Sequence, residues 1–215
     1  VLHTLYMQGK QYEAGGHAAG EGHHAADLFQ LAQRCYLQAA TNGHLAAQCQ
    51  VGRMYEQGIG CRVDVGEAMK WYESAASRNF AEAENNLGAL LYLGVVGGEG
   101  SAQTQARSDP AAAAAALFDC ARRKGHAAAA NNLALCYEEG RGVAEQDLER
   151  ARLLYEEAAA GGIVGALAGA GYLALMQGNL RDAMLSFQEG AAAGSMDAAE
   201  GLRILGSRQR LGGAG

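Results

Sequence analysis

Residues 45–79 read LAAQCQVGRMYEQGIGCRVDVGEAMKWYESAASRN, and this stretch contains one complete structural unit. Apolar side chains recur at helical spacing over 45–57 and again after Asp64, which predicts two helices. Two glycines within 58–60 end the first helix, because glycine accepts the left-handed conformation that a helix end needs. Asp64 is the predicted N-cap of the second helix, and Asn79 ends it. A connection this short makes the two helices antiparallel neighbours.

The same unit recurs along the chain. Five times, an aromatic residue is followed seven positions later by a small turn residue, and these turn residues are 36, 46, 37 and 32 positions apart. Such intervals are typical of two-helix solenoid repeats. Alanine or glycine also recurs four positions before each turn residue, and alanine four positions after it, as close helix packing requires. The five pairs are Tyr36/Gly43, Tyr72/Asn79, Phe118/Gly125, Tyr155/Gly162 and Phe187/Gly194.

We therefore expect an all-α fold, an α-solenoid of about five antiparallel helix pairs followed by a final unpaired helix at 196–206. The apolar face of that last helix, with Leu202 and Leu205, is expected to be covered by a segment or subunit outside this chain. Two glycine-rich stretches, 15–25 and 94–108, are interpreted as flexible insertions within a pair, and 207–215 as a frayed tail. One solenoid domain is predicted over 1–206, with units at about 1–43, 44–79, 80–125, 126–162 and 163–194 and a partial unit at 195–206.

The composition narrows the range of functions. The net charge is −6 with 19% charged residues, so a basic face for phosphates is lacking and we expect no nucleic-acid binding. The sequence contains no run of about 18 apolar residues, so we expect no membrane insertion. Motifs for a phosphate loop, a nucleophile with its base or a zinc site are missing, so we expect neither enzyme activity nor a cofactor or metal.

The N-terminal residues bear on the compartment in which the protein is found. Residue 1 is Val and no charged-then-apolar leader follows it, so we expect a fragment or a processed form. The compartment stays open: a soluble cytoplasmic protein is favoured, and an organelle lumen is the alternative.

A loop motif occurs twice with nearly the same spacing. It consists of Gly-x-Gly followed by Cys or Val, then Asp, then Ala, then Tyr at the aromatic position. This pattern resembles the Sel-1-like repeat, a relative of the tetratricopeptide repeat, although the last unit lacks the loop and joins its helices at Gly178-Asn179. The resemblance implies a right-handed superhelix that acts as an adaptor or scaffold, with the first helix of each pair lining the concave side. The two copies run from Gly58 to Tyr72 and from Gly140 to Tyr155.

Amide side chains recur on the first helix of several pairs. Tetratricopeptide relatives use asparagines there to hold the backbone of an extended peptide, and a carboxamide suits this role because it both donates and accepts hydrogen bonds. The alternative is that the amides satisfy local backbone or a neighbouring helix. Trp71, the only tryptophan, is a further candidate anchor for a partner, with partial burial against the next repeat as its alternative. The candidate amides are Gln50, Asn85, Asn86, Asn131 and Asn132.

The cysteines allow two interpretations. Their odd number, five, favours free thiols packed as small apolar groups. Cys35 and Cys49, however, lie eight before and six after the same turn residue, so a disulfide between them stays open.

These observations favour a non-enzymatic scaffold or adaptor that binds a partner peptide or helix along the concave first-helix surface. The first alternative is a structural subunit of a large multiprotein assembly. The second is an organelle assembly or redox factor that uses Cys35 and Cys49.

Overall fold

The computed structural model describes residues 1–20, 22–94 and 109–212, with side chains up to residue 207. These residues form eleven α-helices and no strand, as the sequence predicts. The helices are α1 Leu2–Ala19, α2 His23–Thr41, α3 Leu45–Gln57, α4 Val65–Ala76, α5 Ala81–Tyr92, α6 Pro110–Arg123, α7 Ala127–Glu139, α8 Leu148–Ala160, α9 Ala166–Met176, α10 Leu180–Ala192 and α11 Met196–Gly212.

The chain divides into two compact units, Val1–Pro110 and Ala111–Gly215. In the first unit each helix from α1 to α5 packs against its successor in the chain. In the second unit each helix from α7 to α11 packs against its successor, and α9 also contacts α11. Because the connections are short, successive helices are antiparallel. The single solenoid expected over 1–206 stays a prediction.

Short polar side chains begin several helices in both units. The Asp64 carboxylate accepts a hydrogen bond from the Glu67 amide at 2.9 Å at the start of α4, which confirms the predicted cap. Asp147 begins α8 in the same way. Before α3 and α7, the caps are His44 and His126, whose Nδ1 atoms accept from backbone amides at 3.2 and 3.3 Å. Each cap satisfies an amide that the helix itself leaves without an acceptor.

The repeated aromatic residues form the centre of each helix pair. Tyr36, Tyr72 and Phe187 are 0% exposed, and their rings pack against glycines of the preceding helix. A Cβ atom added at Gly52 would lie 2.6 Å from a ring carbon of Tyr72, and one at Gly171 would lie 2.5 Å from Phe187. Carbon atoms prefer separations of about 3.5–4.0 Å. The repeated small residues therefore mark the positions at which an aromatic ring occupies the space that a larger side chain would need.

The second glycine of each loop motif has a separate role. Gly60 lies against the backbone carbonyl of Phe29, where an added Cβ atom would approach the oxygen to 2.6 Å. Gly142 lies in the same way against Ala111 in the second unit. Phe29 and Ala111 both stand fourteen positions before their turn residues, so the two loops dock at equivalent places.

The expected loop at 15–25 is wrong in most of its length. Helix α1 continues to Ala19, and α2 begins at His23. The reason is tertiary packing: Gly16 lies against the ring of Phe29, where an added Cβ atom would come within 2.6 Å of a ring carbon. The other expected insertion, 94–108, lies outside the described residues except for Gly94, which is part of a turn.

The expectations for the C-terminal end also need correction. Helix α11 continues to Gly212, so residues 207–212 are helical where a frayed tail was expected. Leu205 is 7% exposed, and Leu202 packs against the same cluster, which includes Ala168 and Phe187. The apolar face of α11 is therefore covered by α9 and α10 of this chain.

Candidate partner-binding surface

The first helices of successive pairs meet on one side of the first unit. We call the exposed and half-buried side chains of α1, α3 and α5 on this side the helix-A surface. Arg53 of α3 bonds to Glu13 of α1, and Asn86 of α5 bonds to Cys49 of α3. The helices that carry the predicted residues Gln50, Asn85 and Asn86 are therefore in contact with each other.

Glu13 is the centre of a hydrogen-bond network between α1, α2 and α3. It is 8% exposed, and its Oε2 accepts from the Tyr36 hydroxyl at 2.8 Å. Its Oε1 accepts from Nη2 of Arg53. Arg53 in turn donates from Nε to Oε1 of Gln50 at 3.0 Å. A buried carboxylate requires such partners, because an isolated buried charge is strongly unfavourable.

Burial has the largest effect on the titratable groups of this side, nearby carboxylates add to it, and Arg53 acts in the opposite sense. Burial, with the hydrogen bond to Glu13, raises the pKa of the Tyr36 phenol. Burial also raises the pKa of Tyr6, to which the charges of Glu82 and Glu13 contribute. Burial, followed by Glu82, raises the pKa of the Cys49 thiol. All three groups therefore stay neutral at pH 7.

The amides of the first unit are bonded to each other and to a thiol. Asn85 Nδ2 donates to Asn86 Oδ1 at 3.2 Å, and Asn86 Nδ2 donates to the Cys49 sulfur at 3.5 Å. Sulfur is a weak acceptor. Asn86 and Gln50 are half-buried, and Asn85 is 8% exposed.

The amides of the second unit, Asn131 and Asn132, lie half-buried on α7. Asn132 stands seven positions after its turn residue, and Gly169 and Gly201 occupy the same register later in that unit. Both glycines lie against an aromatic ring of the preceding second helix, Tyr155 for Gly169 and Phe187 for Gly201. The seventh position after a turn residue therefore lies against an aromatic ring, which favours glycine or a short side chain at that position.

The packing of Trp71 involves its own and the preceding repeat, where the alternative interpretation expected the next repeat. Trp71 is half-buried and packs against the core cluster that contains Tyr36, Val51 and Met54. Its use as an anchor for a partner stays a prediction.

A repeated hydrogen bond, which was not predicted from the sequence, joins the two helices of a pair. Three tyrosines of the aromatic column donate to glutamates, each four positions after the small residue of the first helix. Where the column holds Phe118 or Phe187, the corresponding positions hold Tyr92 and Leu175. In the sequence, tyrosine of the aromatic column thus occurs together with glutamate, and phenylalanine occurs without it, and this pattern could have revealed the hydrogen bond. The bonded pairs are Tyr36/Glu13 at 2.8 Å, Tyr72/Glu56 at 2.7 Å and Tyr155/Glu138 at 2.6 Å.

The structure contains all five cysteines as free thiols, so the disulfide between Cys35 and Cys49 is wrong. Cys49 is buried and accepts from Asn86 on α5, whereas Cys35 is half-buried on α2. Within 1–20, 22–94 and 109–212, no cluster of three or more possible metal ligands is present.

A family model described as the Sel1 repeat matches residues 11–44, 45–80 and 127–163. This chain is a Sel1 repeat protein. A stretch of 63 residues, 29% of the chain, is 38% identical to chitin synthase regulatory factor 3 of Schizosaccharomyces pombe, of which it covers 7%. A stretch of 55 residues, 26% of the chain, is 36% identical to a sel1-like repeat-containing protein of Acanthamoeba polyphaga mimivirus, of which it covers 10%. The chain thus spans a small part of these curated relatives.

Solved structures show the same repeat fold. A Sel1 repeat protein from Oxalobacter formigenes is 26% identical and superimposes with a TM-score of 0.75, covering 94% of this chain and 75% of that one. A protective antigen of uropathogenic Escherichia coli that displays an SLR fold gives a TM-score of 0.77 at 22% identity, over 94% of this chain and 40% of that one. The all-α solenoid class is therefore confirmed.

Sel1 repeat proteins are generally non-enzymatic scaffolds that mediate protein–protein interactions. In the part of the chain that the structure describes, no helix has the length and apolar character needed to cross a bilayer.

Proposed function

We propose that this Sel1 repeat protein is an interaction scaffold whose helix-A surface binds an extended segment of a partner protein. The observation that carries the proposal is the incomplete hydrogen bonding of Gln50, Arg53 and Asn86, three neighbouring side chains of that surface. An extended peptide presents a backbone carbonyl or amide at each residue, and amide side chains pair with either group.

Each of the three side chains can accept a peptide without losing a strong interaction. Asn86 donates to a thiol, and a peptide carbonyl is the better acceptor. Gln50 uses its oxygen for Arg53, while its Nε2 has no acceptor among the described residues. Arg53 also has Nη1 available, because its hydrogen bonds to the described residues come from Nε and Nη2.

The charge of the surface selects among partners. Although Arg53 acts on Tyr6 and Cys49 in the opposite sense, Glu82 acts on both and places a negative charge on the surface beside α5. A basic side chain in the bound segment would be attracted to it, and the interaction would weaken with added salt. We therefore expect the partner segment to contain lysine or arginine.

Affinity measurements on a co-purified partner test the proposal. Asn86→Ala combined with Gln50→Ala should weaken binding by about tenfold or more, because two hydrogen bonds are lost at about 0.5–1.5 kcal/mol each. The matched control is Lys70→Ala, which changes an exposed side chain of α4. Unchanged affinity in the double variant would contradict the helix-A surface as the binding site. The equivalent pair Asn131→Ala and Asn132→Ala tests whether α7 contributes.

A second function, a structural subunit of a large assembly, is favoured by exposed apolar side chains in the second unit. Met176 is 71%, Leu180 56% and Leu185 48% exposed at the end of α9 and along α10. Assemblies cover such side chains. In this case Leu180→Ser with Leu185→Ser would release the protein from its native complex, while the Asn86 variant would not.

A further inference from the structure

The second unit contains a small open cavity lined by apolar side chains together with the polar side chains of Asp119, Tyr137 and Arg150. It has a volume of about 280 Å³ and lies between α6, α7 and the loop that leads into α8. Ala112, Ala116, Leu133 and Val143 line it. Pockets for drug-sized ligands usually measure about 300–1,000 Å³, so this one suits a single amino-acid side chain.

Arg150 lies at the rim of this cavity. Its guanidinium carbon is 4.4 Å from the centre of the Tyr137 ring, a stacked arrangement that fixes the planar group. The Arg150 side chain is exposed, and none of the described residues accepts a hydrogen bond from its guanidinium. A stacked guanidinium with unused donors matches the geometry of a carboxylate.

The other charged group of the lining does not neutralise Arg150. Asp119 is bonded to Arg122 at 2.9 Å and to Arg123 at 2.6 Å, so its charge is already balanced on α6. The rim therefore has one positive charge without a partner, directly beside apolar walls.

The first unit shows that this charge is not a requirement of the fold. Arg150 stands three positions after the cap Asp147, and Glu67 stands three positions after the cap Asp64. Glu67 contributes to the raised pKa of Tyr55, after burial and Cys61, so it lies near the tyrosine that corresponds to Tyr137. The two units thus carry opposite charges at one structural position.

We propose that this cavity, which we call the Arg150 pocket, binds the C-terminal residue of a partner protein. The terminal carboxylate pairs with the Arg150 guanidinium, and an aliphatic side chain enters the cavity between Leu133 and Val143. A chain terminus is the occupant because it carries a carboxylate and a side chain on one Cα atom, and Arg150 lines the same cavity as Leu133 and Val143. The site uses none of the residues of the helix-A surface, so it does not depend on the function proposed above.

Binding of two short peptides to the full chain tests this site. The probes are acetyl-Gly-Ser-Gly-Leu with a free C-terminal carboxylate and the same peptide with a C-terminal amide. Nuclear magnetic resonance titrations that follow the Leu133 and Val143 methyl groups measure both affinities. We expect the free acid to bind at least about tenfold more tightly, and its affinity to fall as salt is added.

Three variants complete the test. Arg150→Gln should weaken binding of the free acid about tenfold or more, whereas Arg181→Gln, another exposed arginine of the second unit, should have no effect. Ala116→Leu should block the cavity from its exposed edge, and it decides the matter should the Arg150 variant fail to fold. Equal binding of acid and amide, or unchanged binding by Arg150→Gln or Ala116→Leu, would overturn the proposal. The proposal would also be overturned if the methyl signals did not shift at free-acid concentrations up to about 10 mM, since binding would then be weaker than a Kd of about 1 mM.

Discussion

Replacing Gly52 with alanine should destabilise the first unit, although alanine is the better helix former. Helix propensity alone favours alanine by about 1 kcal/mol. The added Cβ atom, however, would lie 2.6, 2.8 and 3.0 Å from three carbons of the Tyr72 ring, which is 0% exposed. Relief requires a shift of the ring by about 1 Å toward normal carbon separations.

The magnitude follows from what that shift disturbs. Overpacking a core costs about 1–3 kcal/mol. The moved ring also weakens the bond from the Tyr72 hydroxyl to Glu56, 2.7 Å long, and hydrogen bonds to charged groups contribute about 1.5–3 kcal/mol. After subtraction of the propensity gain, we expect a net loss of about 2–4 kcal/mol in the free energy of unfolding.

Gly15→Ala is the matched control. Gly15 is also inside a helix of the first unit, but its added Cβ atom would meet Leu28 at 3.5 Å, an ordinary contact. This variant should be stabilised by up to about 1 kcal/mol. Denaturant unfolding followed by fluorescence of Trp71, the only tryptophan and a residue packed in the first unit, measures both changes. Stabilisation of both variants would refute the ring-on-glycine packing.

Three further predictions concern the same units. Tyr72→Phe should cost about 1.5 kcal/mol, and adding Glu56→Leu should recover part of it, since the pair then matches Phe187/Leu175; a double-mutant cycle that shows no coupling would contradict the bond. Burial lowers the pKa of His44 below that of the unfolded chain, so its contribution to stability is full above about pH 6.5 and is lost as the pH falls through the lowered value; His44→Asn should keep the cap and flatten this pH dependence in thermal melts. Exposed Cys120 should react with a thiol reagent in the native protein, whereas buried Cys49, whose pKa burial raises, should react after unfolding; equal rates in mass spectrometry would be inconsistent with this burial.

The elements set by local sequence were predictable. Asp64 and Gly58 bracket a loop through a cap and a left-handed helix end, both of which depend on neighbouring residues alone. The helical character of 15–19 was not predictable in this way, because glycine-rich composition favours a loop and the contact between Gly16 and Phe29 is tertiary. The covering of Leu205 likewise depends on packing between helices, which local sequence does not show.

The candidate surface was predictable as residue types but not as contacts. Asn86 and Gln50 were identified by register, yet the sequence did not show that Cys49 and Arg53 are their partners. The buried position of Glu13 was not predicted, because a glutamate on an amphipathic helix is usually exposed to solvent. Its burial becomes clear when it is compared with Glu56 at the same position of the next repeat.

Site-specific photo-crosslinking in native complexes tests the central claim most directly. A photoreactive amino acid is placed at Gln50 on the helix-A surface and, in separate samples, at Lys70 on α4 and Leu185 on α10. We expect position 50 to form adducts with one defined segment of a partner protein and Asn86→Ala to remove them. Adducts formed at Lys70 or Leu185 but not at Gln50 would contradict the claim.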